Sequence, residues 1–292
     1  MKIGIDLGGS HIGVALINDG EIVEKREKEI YQNENEESIL NYIDKAISEI
    51  IEREGNIELI GIATPGYIQG NSMMHLVNLG IDKLDFSKII EKYKNIQFKI
   101  RNDSKMAALA EKKYGALSNY NDAVFLCLGT GIGSGVFLNG KLLSARDNLG
   151  FELGHMIIQK DGFLCNCGKK GCFETYCSIK RFKDKAKTIL GLNDISSREL
   201  LEKIKQENDN LELKVAIDEF IDYMIIGLSN IIDIFEPEAI CIGGSFVFFK
   251  EIFYSKLVKQ MNARKYVFNK EKMPQILLAE LGNDAGMIGA TI

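Results

Sequence analysis

Apolar residues near the start of the chain fall in short runs separated by turn residues. Lys2–Leu7 is a short apolar run that ends in Gly8-Gly9, and Ile12–Ile17 is a second run. Asp19-Gly20 is a hairpin-type turn that leads into Ile22–Glu24. The pattern therefore predicts three strands, the last two of which are joined by a tight turn.

A helix and further strands are predicted next. Between Glu36 and Arg53, apolar residues recur with the period of a helix. The other elements predicted in this half of the chain are a strand at Leu59–Ala63 that ends at Thr64-Pro65-Gly66, a strand at Phe98–Ile100 and an alanine-rich helix at Ser104–Tyr114.

The same pattern starts again after residue 120. It predicts strands at Ala123–Leu128, Gly135–Leu138, Lys141–Leu143, Ala239–Ile242 and Gln275–Ala279, and helices at Glu174–Leu190, Leu211–Phe235, Val247–Met261 and Asp284–Ala290. A hairpin followed by a helix thus occurs twice, each time opened by a glycine turn. This favours an α/β protein with two lobes, residues 1–115 and 116–282, and a hinge near Gly115. Residues 283–292 are a segment that can pack back on the first lobe.

Composition narrows the classes of protein to which the chain can belong. Its 292 residues are 46% hydrophobic and 26% charged, which is ordinary for a globular protein with a sizeable core. A net charge of −5 argues against a nucleic-acid partner held by phosphate contacts. No apolar stretch reaches the eighteen residues that a membrane span needs, and the first residues lack the apolar core of a secretion signal. We expect a cytoplasmic protein with no membrane or nucleic-acid partner.

A dense set of metal-ligating side chains lies between residues 155 and 172. His155, Cys165, Cys167 and Cys172 form a Cys₃His set on a glycine-rich loop, and such a set closes a tetrahedral zinc site. A disulfide cluster is the alternative, but disulfides belong to oxidising compartments and small secreted domains. We therefore predict a structural zinc ion in a loop, residues 155–172, flanked by Glu152 and Glu174.

Glycine turns follow three predicted strands. They are Asp6-Leu7-Gly8-Gly9-Ser10, Gly129-Thr130-Gly131-Ile132-Gly133 and Gly243-Gly244-Ser245. Glycines let backbone N–H groups approach an anion closely, so the turns suit phosphate groups. Asp6 suits a magnesium–water contact, although a strand-end acid can also cap its own turn. None of the turns has the P-loop pattern or the dinucleotide-binding glycine spacing.

Together these motifs resemble the ROK family of bacterial sugar kinases and sugar-responsive repressors. The residues that carry the resemblance are Asp6-Leu7-Gly8-Gly9-Ser10, Asn102-Asp103, Leu128–Gly133, Glu152-Leu153-Gly154-His155 and the run from Cys165 to Thr175. They occur in family order, and Gly282–Ala290 resembles the end of family sequences. The resemblance implies the actin-like ATPase fold, in which two ribonuclease-H-like lobes hold ATP and sugar in the cleft between them.

The family pattern implies a role for each matching residue. Asp103 would be the catalytic base. The sugar would be bound by Gly66, Asn78, Asn102, Glu152, His155 and Glu174. Zinc would be bound by His155, Cys165, Cys167 and Cys172. ATP and magnesium would be bound by Asp6, Gly8, Gly9, Ser10, His11, Thr130, Gly131, Gly133 and Gly244.

Three positions depart from the family pattern. Ser10 stands where the family has Thr, which keeps a hydroxyl, and Lys105 stands where the family has Asn, which places a cation near Asp103. Gly80 stands where the family has Pro in the sugar loop. Other interpretations remain for the acids. Asp103 could be a helix N-cap, and Glu152 and Glu174 could be surface acids.

The resemblance implies an ATP- and magnesium-dependent hexokinase that phosphorylates the 6-hydroxyl of a hexose, with glucose as the first choice. N-acetylmannosamine and other hexoses or hexosamines are alternatives. A sugar-sensing regulator without enzymatic activity is a different class, and such proteins carry a helix-turn-helix before the first glycine turn. Here the first strand begins at Lys2, which favours the kinase. A homodimer is expected from the resemblance alone.

Overall fold

The chain folds into two compact units, each of which is assembled from separate stretches of sequence. The computed structural model describes residues 1–8, 11–30, 34–76, 79–145, 150–264 and 273–292. The first unit comprises Met1–Ser118, Ser144–Gly150 and Leu281–Ile292, and the second comprises Asn119–Leu143 and Phe151–Glu280. The predicted lobe of residues 116–282 differs from the second unit in that Ser144–Gly150 is assigned to the first unit. Gly9, Ser10 and Asn78 lie outside the described residues.

The first unit is built on a five-stranded sheet. Its elements are β1 (Lys2–Leu7), β2 (His11–Asn18), β3 (Glu21–Glu29), α1 (Glu36–Glu54), β4 (Leu59–Thr64), β5 (Tyr67–Gln69), β6 (Ser72–Leu76), β7 (Ile81–Asp85), α2 (Ser87–Lys92), β8 (Gln97–Asn102), α3 (Asp103–Tyr114) and, after the second unit, α10 (Ala285–Ala290). The order in the sheet is β3-β2-β1-β4-β8, with β2 antiparallel to β1 and with β4 and β8 parallel to it. The strands and helices predicted from the sequence here are confirmed within a few residues.

Local signals explain why α1 was predicted correctly. Asn35 caps the helix by accepting a hydrogen bond from the N–H of Ser38 at 2.8 Å, and Gly55 ends it with a φ of 72°. Five apolar residues spaced three or four apart lie on its buried face, namely Ile39, Ile43, Ala46, Ile47 and Ile50.

A small three-stranded antiparallel sheet was missed by the sequence analysis. It consists of β5, β6 and β7, whose strands are only three to five residues long. His75 in β6 has a φ of 56°, which interrupts a regular extended run. Strands this short and irregular do not show a clear alternation of apolar and polar residues, so their pattern could not predict them.

The helix α10 completes the first unit from the far end of the sequence. It packs on β1, β4 and α3. At Gly61 in β4 the backbone carbonyl of Ala290 comes so close that a Cβ atom would overlap it. Lys2 and Lys99 donate hydrogen bonds to the backbone oxygens of Thr291 and Ile292 at 2.9 and 2.8 Å. The last residues of the chain thus make close backbone contacts with the sheet of the first unit, on which residues 283–292 were predicted to pack.

The second unit repeats the strand arrangement of the first. Its elements are β9 (Ala123–Leu128), β10 (Ile132–Leu138), β11 (Lys141–Leu142), α4 (Phe173–Cys177), α5 (Ile179–Ile189), α6 (Ser197–Gln206), α7 (Leu211–Phe235), β12 (Ala239–Gly243), α8 (Ser245–Phe248), α9 (Lys250–Ala263) and β13 (Gln275–Leu278). The sheet order is β11-β10-β9-β12-β13, again with an antiparallel hairpin and then parallel strands. Phe182, Phe220 and Phe253 pack together in its core.

Two helical predictions for this unit were wrong in detail, and a third helix was missed. The helix predicted at Glu174–Leu190 is two helices, because Ser178 is extended with a ψ of 143°. The helix predicted at Val247–Met261 is likewise divided, at Phe249, into α8 and α9. The helix α6 was not predicted at all. Its capping box of Ser196 and Glu199 was a usable sequence signal.

Candidate active site

Asp103 opens α3 at the carboxyl end of β8. The preceding residue, Asn102, is the N-cap, because its Oδ1 accepts a hydrogen bond from the N–H of Lys105 at 3.2 Å. The N–H of Ser104 donates to Oδ1 of Asp103 at 2.7 Å. The interpretation of Asp103 as the helix cap is therefore wrong, and Asn102 has that role. A carboxylate in the first helical turn is favoured in its ionised form, which a base requires.

Asp6 on β1 interacts electrostatically with Asp103. Burial, and then the negative charge of Asp103, raise the pKa of Asp6 to about 7. Gly286 in α10 faces Asp6 so closely that a Cβ atom would overlap the carboxylate. A hard divalent cation beside this pair of carboxylates would offset their repulsion and favour the ionised form of both. The donor set fits the magnesium contact predicted for Asp6.

The first glycine turn is described at its two edges only. The N–H of Gly8 donates to the carbonyl of His11 at 2.9 Å, and the imidazole of His11 lies against Gly8. Gly9 and Ser10, between them, are outside the described residues. A contact of Gly8 and His11 with a nucleotide phosphate stays a prediction.

Two residues predicted to contact the sugar lie together in the first unit. Nδ2 of Asn102 donates to the carbonyl of Gly66 at 3.4 Å. Gly66 follows Thr64-Pro65 at the end of β4, which runs parallel to β8, so the two strand ends bring them side by side. The third predicted contact in this unit, Asn78, is not described.

Lys105 follows Asp103 by two residues in the sequence, and its side chain is buried. Its side chain is 8% exposed, and its Nζ donates to the carbonyl of Gly150 at 3.3 Å. The resemblance described above implies Asn at this position, where this chain has an ammonium group. Gly150 ends the stretch Ser144–Gly150, and the chain continues from it into Phe151 and Glu152.

The four predicted metal ligands come together in the second unit. The ligand atoms of His155, Cys165, Cys167 and Cys172 all lie within 4.8 Å of one another. Nδ1 of His155 lies 3.6 Å from Sγ of Cys165, and the sulfurs of Cys167 and Cys172 are 3.6 Å apart. Two thiolates on a tetrahedral zinc with bonds of about 2.3 Å would be about 3.8 Å apart. The geometry therefore fits zinc.

The disulfide alternative does not fit the same atoms. All six cysteines are free thiols, and bonded sulfurs would be about 2.05 Å apart. Outside the cluster, Cys241 is buried and Cys127 is half-buried. Burial raises the pKa of the Cys165 thiol to about 12, so a bound metal would have to displace its proton.

Lys169 is a residue of the metal-ligand loop that the sequence analysis missed. Its Nζ donates to the backbone carbonyl of His155 at 2.9 Å. The contact joins the start of the loop to the segment between Cys167 and Cys172. The position of Lys169 between Cys167 and Cys172 was the one sequence signal for this contact. It was not sufficient, because most exposed lysines make no such contact.

Glu152 lies where the chain enters the second unit. It precedes a short 3₁₀ helix, Leu153–His155, and its carbonyl accepts a hydrogen bond from the N–H of His155 at 3.0 Å. Oγ of Ser134, on β10, donates to the carbonyl of Phe151 at 2.6 Å and accepts from the N–H of Leu153 at 3.1 Å. The backbone on both sides of Glu152 is thus fixed to the sheet.

Glu174 contacts the second glycine turn. Its Oε2 accepts a hydrogen bond from the N–H of Ile132 at 2.9 Å, and Gly131 lies so close that a Cβ atom would overlap the carboxylate. Its Oε1 lies 3.8 Å from Sγ of Cys165. Glu174 is therefore not a plain surface acid. The sequence could not reveal the contact with Ile132, because the two residues are 42 positions apart.

The second and third glycine turns lie side by side at the carboxyl ends of parallel strands. β9 ends next to the turn that contains Thr130, and β12 ends at Gly243. Gly244, with a φ of 69°, lies against the carbonyl of Leu128. Thr130 is exposed, and Gly133 pairs with Cys127 in the hairpin. The arrangement leaves Thr130 accessible to a phosphate group.

Comparison with known proteins identifies relatives along the whole sequence. The sequence profile of the ROK family matches residues 2–292. The chain is 29% identical over 312 residues to the glucokinase of Thermotoga maritima, and the match covers 99% of this chain and 95% of that protein. It is also 28% identical over 284 residues to the xylose repressor of Caldicellulosiruptor bescii, with 91% of this chain and 71% of the repressor covered.

A solved structure confirms the fold. The ROK family glucokinase of Streptomyces griseus, in complex with glucose and AMPPNP, superposes with a TM-score of 0.81 at 25% identity, covering 99% of this chain and 97% of that one. The fold is the actin-like ATPase fold expected from the sequence. Among the described residues, every helix is too short or too polar to span a bilayer.

Proposed function

Because the chain belongs to the ROK family, we propose that it is a sugar kinase that uses ATP and magnesium to phosphorylate the 6-hydroxyl of a hexose. Glucose is the first choice of substrate, since glucokinases are among its relatives along the full sequence. Asp103 is the proposed base. The homodimer and the cytoplasmic location expected from the sequence stay predictions.

The observation that carries the proposal is the carboxylate pair of Asp6 and Asp103. Asn102 caps α3, so Asp103 is not needed for that purpose. After burial, the negative charge of Asp103 is the second cause that raises the pKa of Asp6, so the two carboxylates interact electrostatically. Phosphoryl transfer needs a residue that accepts the hydroxyl proton and a site for magnesium, and this pair supplies both.

Each group of residues then has one task. Asp103 accepts the proton of the 6-hydroxyl, and Gly66, Asn78, Asn102, Glu152, His155 and Glu174 bind and orient the sugar. Asp6 would hold magnesium, and the bound ion would neutralise phosphate charge. The turns hold the phosphates and adenosine through Gly8, Gly9, Ser10, His11, Thr130, Gly131, Gly133 and Gly244. The backbone N–H groups of such turns face an anion without a change of conformation.

Zinc has a structural role in this proposal. Four protein ligands, His155, Cys165, Cys167 and Cys172, fill a tetrahedral site and leave no position for substrate. The metal would therefore order the loop that begins and ends beside Glu152 and Glu174. Because His155 offers Nδ1 to the cluster, its other ring nitrogen remains for a sugar hydroxyl.

Two alternatives follow from the relatives. N-acetylmannosamine or another hexosamine would keep the mechanism and change only the sugar. A sugar-sensing regulator is the other class, because the xylose repressor is nearly as similar as the glucokinase. A regulator of this type would bind a sugar without consuming ATP.

An ATP-consumption assay with a panel of sugars separates these possibilities. We expect magnesium-dependent ADP formation with glucose, and a weaker rate or none with xylose. Preference for N-acetylmannosamine would replace the substrate and keep the kinase. Sugar binding seen by calorimetry, with no ADP formed from any sugar of the panel, would contradict the kinase and support the regulator.

A further inference from the structure

We propose that Glu174 positions the phosphate-facing turn Gly129–Gly133, in addition to contacting the sugar. The inference rests on the proposed function, since it assigns the turn to ATP. One carboxylate would then contribute to the binding of both the sugar and the nucleotide. Sugar recognition alone would not require any contact between Glu174 and the turn.

The contact with the turn is direct. Oε2 of Glu174 accepts the hydrogen bond of the Ile132 N–H at 2.9 Å, at the residue where β10 begins. The backbone at Gly131 is pressed against the same oxygen, leaving no room for a side chain. The carboxylate therefore fixes the direction in which the chain leaves the turn.

Helix α5 fixes the other side of the turn. The N–H of Lys180 donates to the carbonyl of Gly129 at 3.1 Å, and the N–H of Gly129 donates to the carbonyl of Gly131 at 2.9 Å. Glu174 and Lys180 lie on consecutive helices separated by Ser178. The turn is thus held between two groups from one short region, and Glu174 provides the charged one.

The same carboxylate also lies against the metal-ligand loop. Its Oε1 is 3.8 Å from Sγ of Cys165, and Glu174 follows Cys172 by two residues. A loop held in place by its ligands therefore places Glu174 where it can reach Ile132. Order in the loop and the shape of the phosphate turn are connected through this one side chain.

Nucleotide binding without any sugar is the property that distinguishes this role. If Glu174 only binds sugar, its removal leaves nucleotide affinity unchanged. If it positions the turn, Glu174→Ala weakens nucleotide binding even when sugar is absent. Glu174→Gln keeps a carbonyl oxygen for the Ile132 N–H, so it should preserve nucleotide affinity while it weakens sugar binding.

The test is a calorimetric titration of the full chain with magnesium-ADP in the absence of sugar. We expect affinity close to wild type for Glu174→Gln and a loss of about tenfold or more for Glu174→Ala, as for other hydrogen bonds to a charged group. Glu174→Asp withdraws the carboxylate by one methylene and should also weaken binding. Asn102→Ser is the matched control, because Ser retains the helix cap but loses a proposed sugar contact.

Hydrogen exchange of the Ile132 amide provides a measurement that needs no ligand. Exchange should be about tenfold or more faster in Glu174→Ala and Glu174→Asp than in wild type and Glu174→Gln. Unchanged exchange and unchanged magnesium-ADP affinity in both truncated variants would overturn the inference. A wild-type chain that binds no magnesium-ADP would instead contradict the proposed function, and the exchange comparison would still decide whether Glu174 holds the turn.

Discussion

The buried carboxylate of Glu111 in α3 binds the backbone of Leu281, which lies 170 residues further along the chain. Its Oε1 accepts a hydrogen bond from the N–H of Leu281 at 2.8 Å, and its Oε2 accepts one from the N–H of Ala116 at 2.9 Å. Leu281 is where the chain re-enters the first unit, and Ala116 lies just before the chain leaves it. One side chain of α3 thus binds the backbone near the first and near the last of the chain's crossings between the units.

Loss of this carboxylate should destabilise the protein. Glu111→Ala leaves two half-buried N–H groups without this acceptor, and we expect the free energy of unfolding to fall by about 3 kcal/mol. Glu111→Gln keeps one acceptor and should cost less. Urea unfolding measures both. Glu91→Ala is the control, since the side chain of Glu91 is 77% exposed and pairs only on the surface. Equal stability of Glu111→Ala and Glu91→Ala would contradict this role.

The pKa of Asp6 predicts a dependence of stability on pH. Because the folded-state pKa is raised to about 7 from 3.8, the folded protein holds a proton that the unfolded chain has released. Its contribution to stability is therefore lost as pH rises from about 4 to about 7, by about 4 kcal/mol at most. Asp6→Asn resembles the protonated acid at every pH and should not show this loss.

Urea unfolding of wild type and Asp6→Asn at pH 5 and pH 8, without magnesium, tests the prediction. The comparison removes the pH effects of other groups. The variant should gain stability over wild type from pH 5 to pH 8. A difference between the two proteins that is the same at both pH values would show that the pKa of Asp6 is not raised.

Asp103→Asn should abolish turnover and leave sugar binding largely intact. Asn keeps the size of the side chain but cannot accept the hydroxyl proton, and a general base contributes about 10²–10⁴ to the rate. A coupled ATP assay measures kcat, and calorimetry with glucose measures binding. A variant that retains more than about a tenth of wild-type kcat would contradict the role of Asp103 as the base.

We expect one zinc ion per chain. Elemental analysis of freshly purified protein should show it, and Cys167→Ser should lower the zinc content. Cys241→Ala, outside the cluster, should not. Chelation should impair sugar binding more than it lowers the melting temperature, because the metal orders one loop rather than a whole unit. Protein that is free of zinc and fully active would contradict the proposed site.

The phosphate should be found on C6 of the product. The primary 6-hydroxyl is the acceptor in the proposed reaction, so 6-deoxyglucose should bind and compete without being phosphorylated. Phosphorus–proton NMR of the product identifies the phosphorylated carbon. A phosphate on C1 would rule out the mechanism, while phosphorylation of N-acetylmannosamine at C6 would change only the choice of sugar.

Sequence alone predicted the features that depend on nearby residues. The helix α7 has the predicted bounds because its cap, Asn210, and its apolar period are local signals. The clustering of His155, Cys165, Cys167 and Cys172 was predicted because a Cys₃His set is chemically distinctive at short spacing. The contact of Glu174 with Ile132 and that of Glu111 with Leu281 were not predicted, because each depends on how distant segments pack. The sequence could not show that Asn102 rather than Asp103 caps α3, because the cap is defined by the hydrogen bond from the N–H of Lys105 to Oδ1 of Asn102.

The first unit contains residues from both ends of the sequence, and this affects how it folds during synthesis on the ribosome. Its sheet begins with the first strand of the chain, yet α10, which packs on β1, β4 and α3, lies within Leu281–Ile292. At usual rates of translation, residues 119–280 take on the order of ten to thirty seconds to synthesise. During this interval, the surface of the first unit that α10 later covers is exposed. The unit that starts first therefore finishes last.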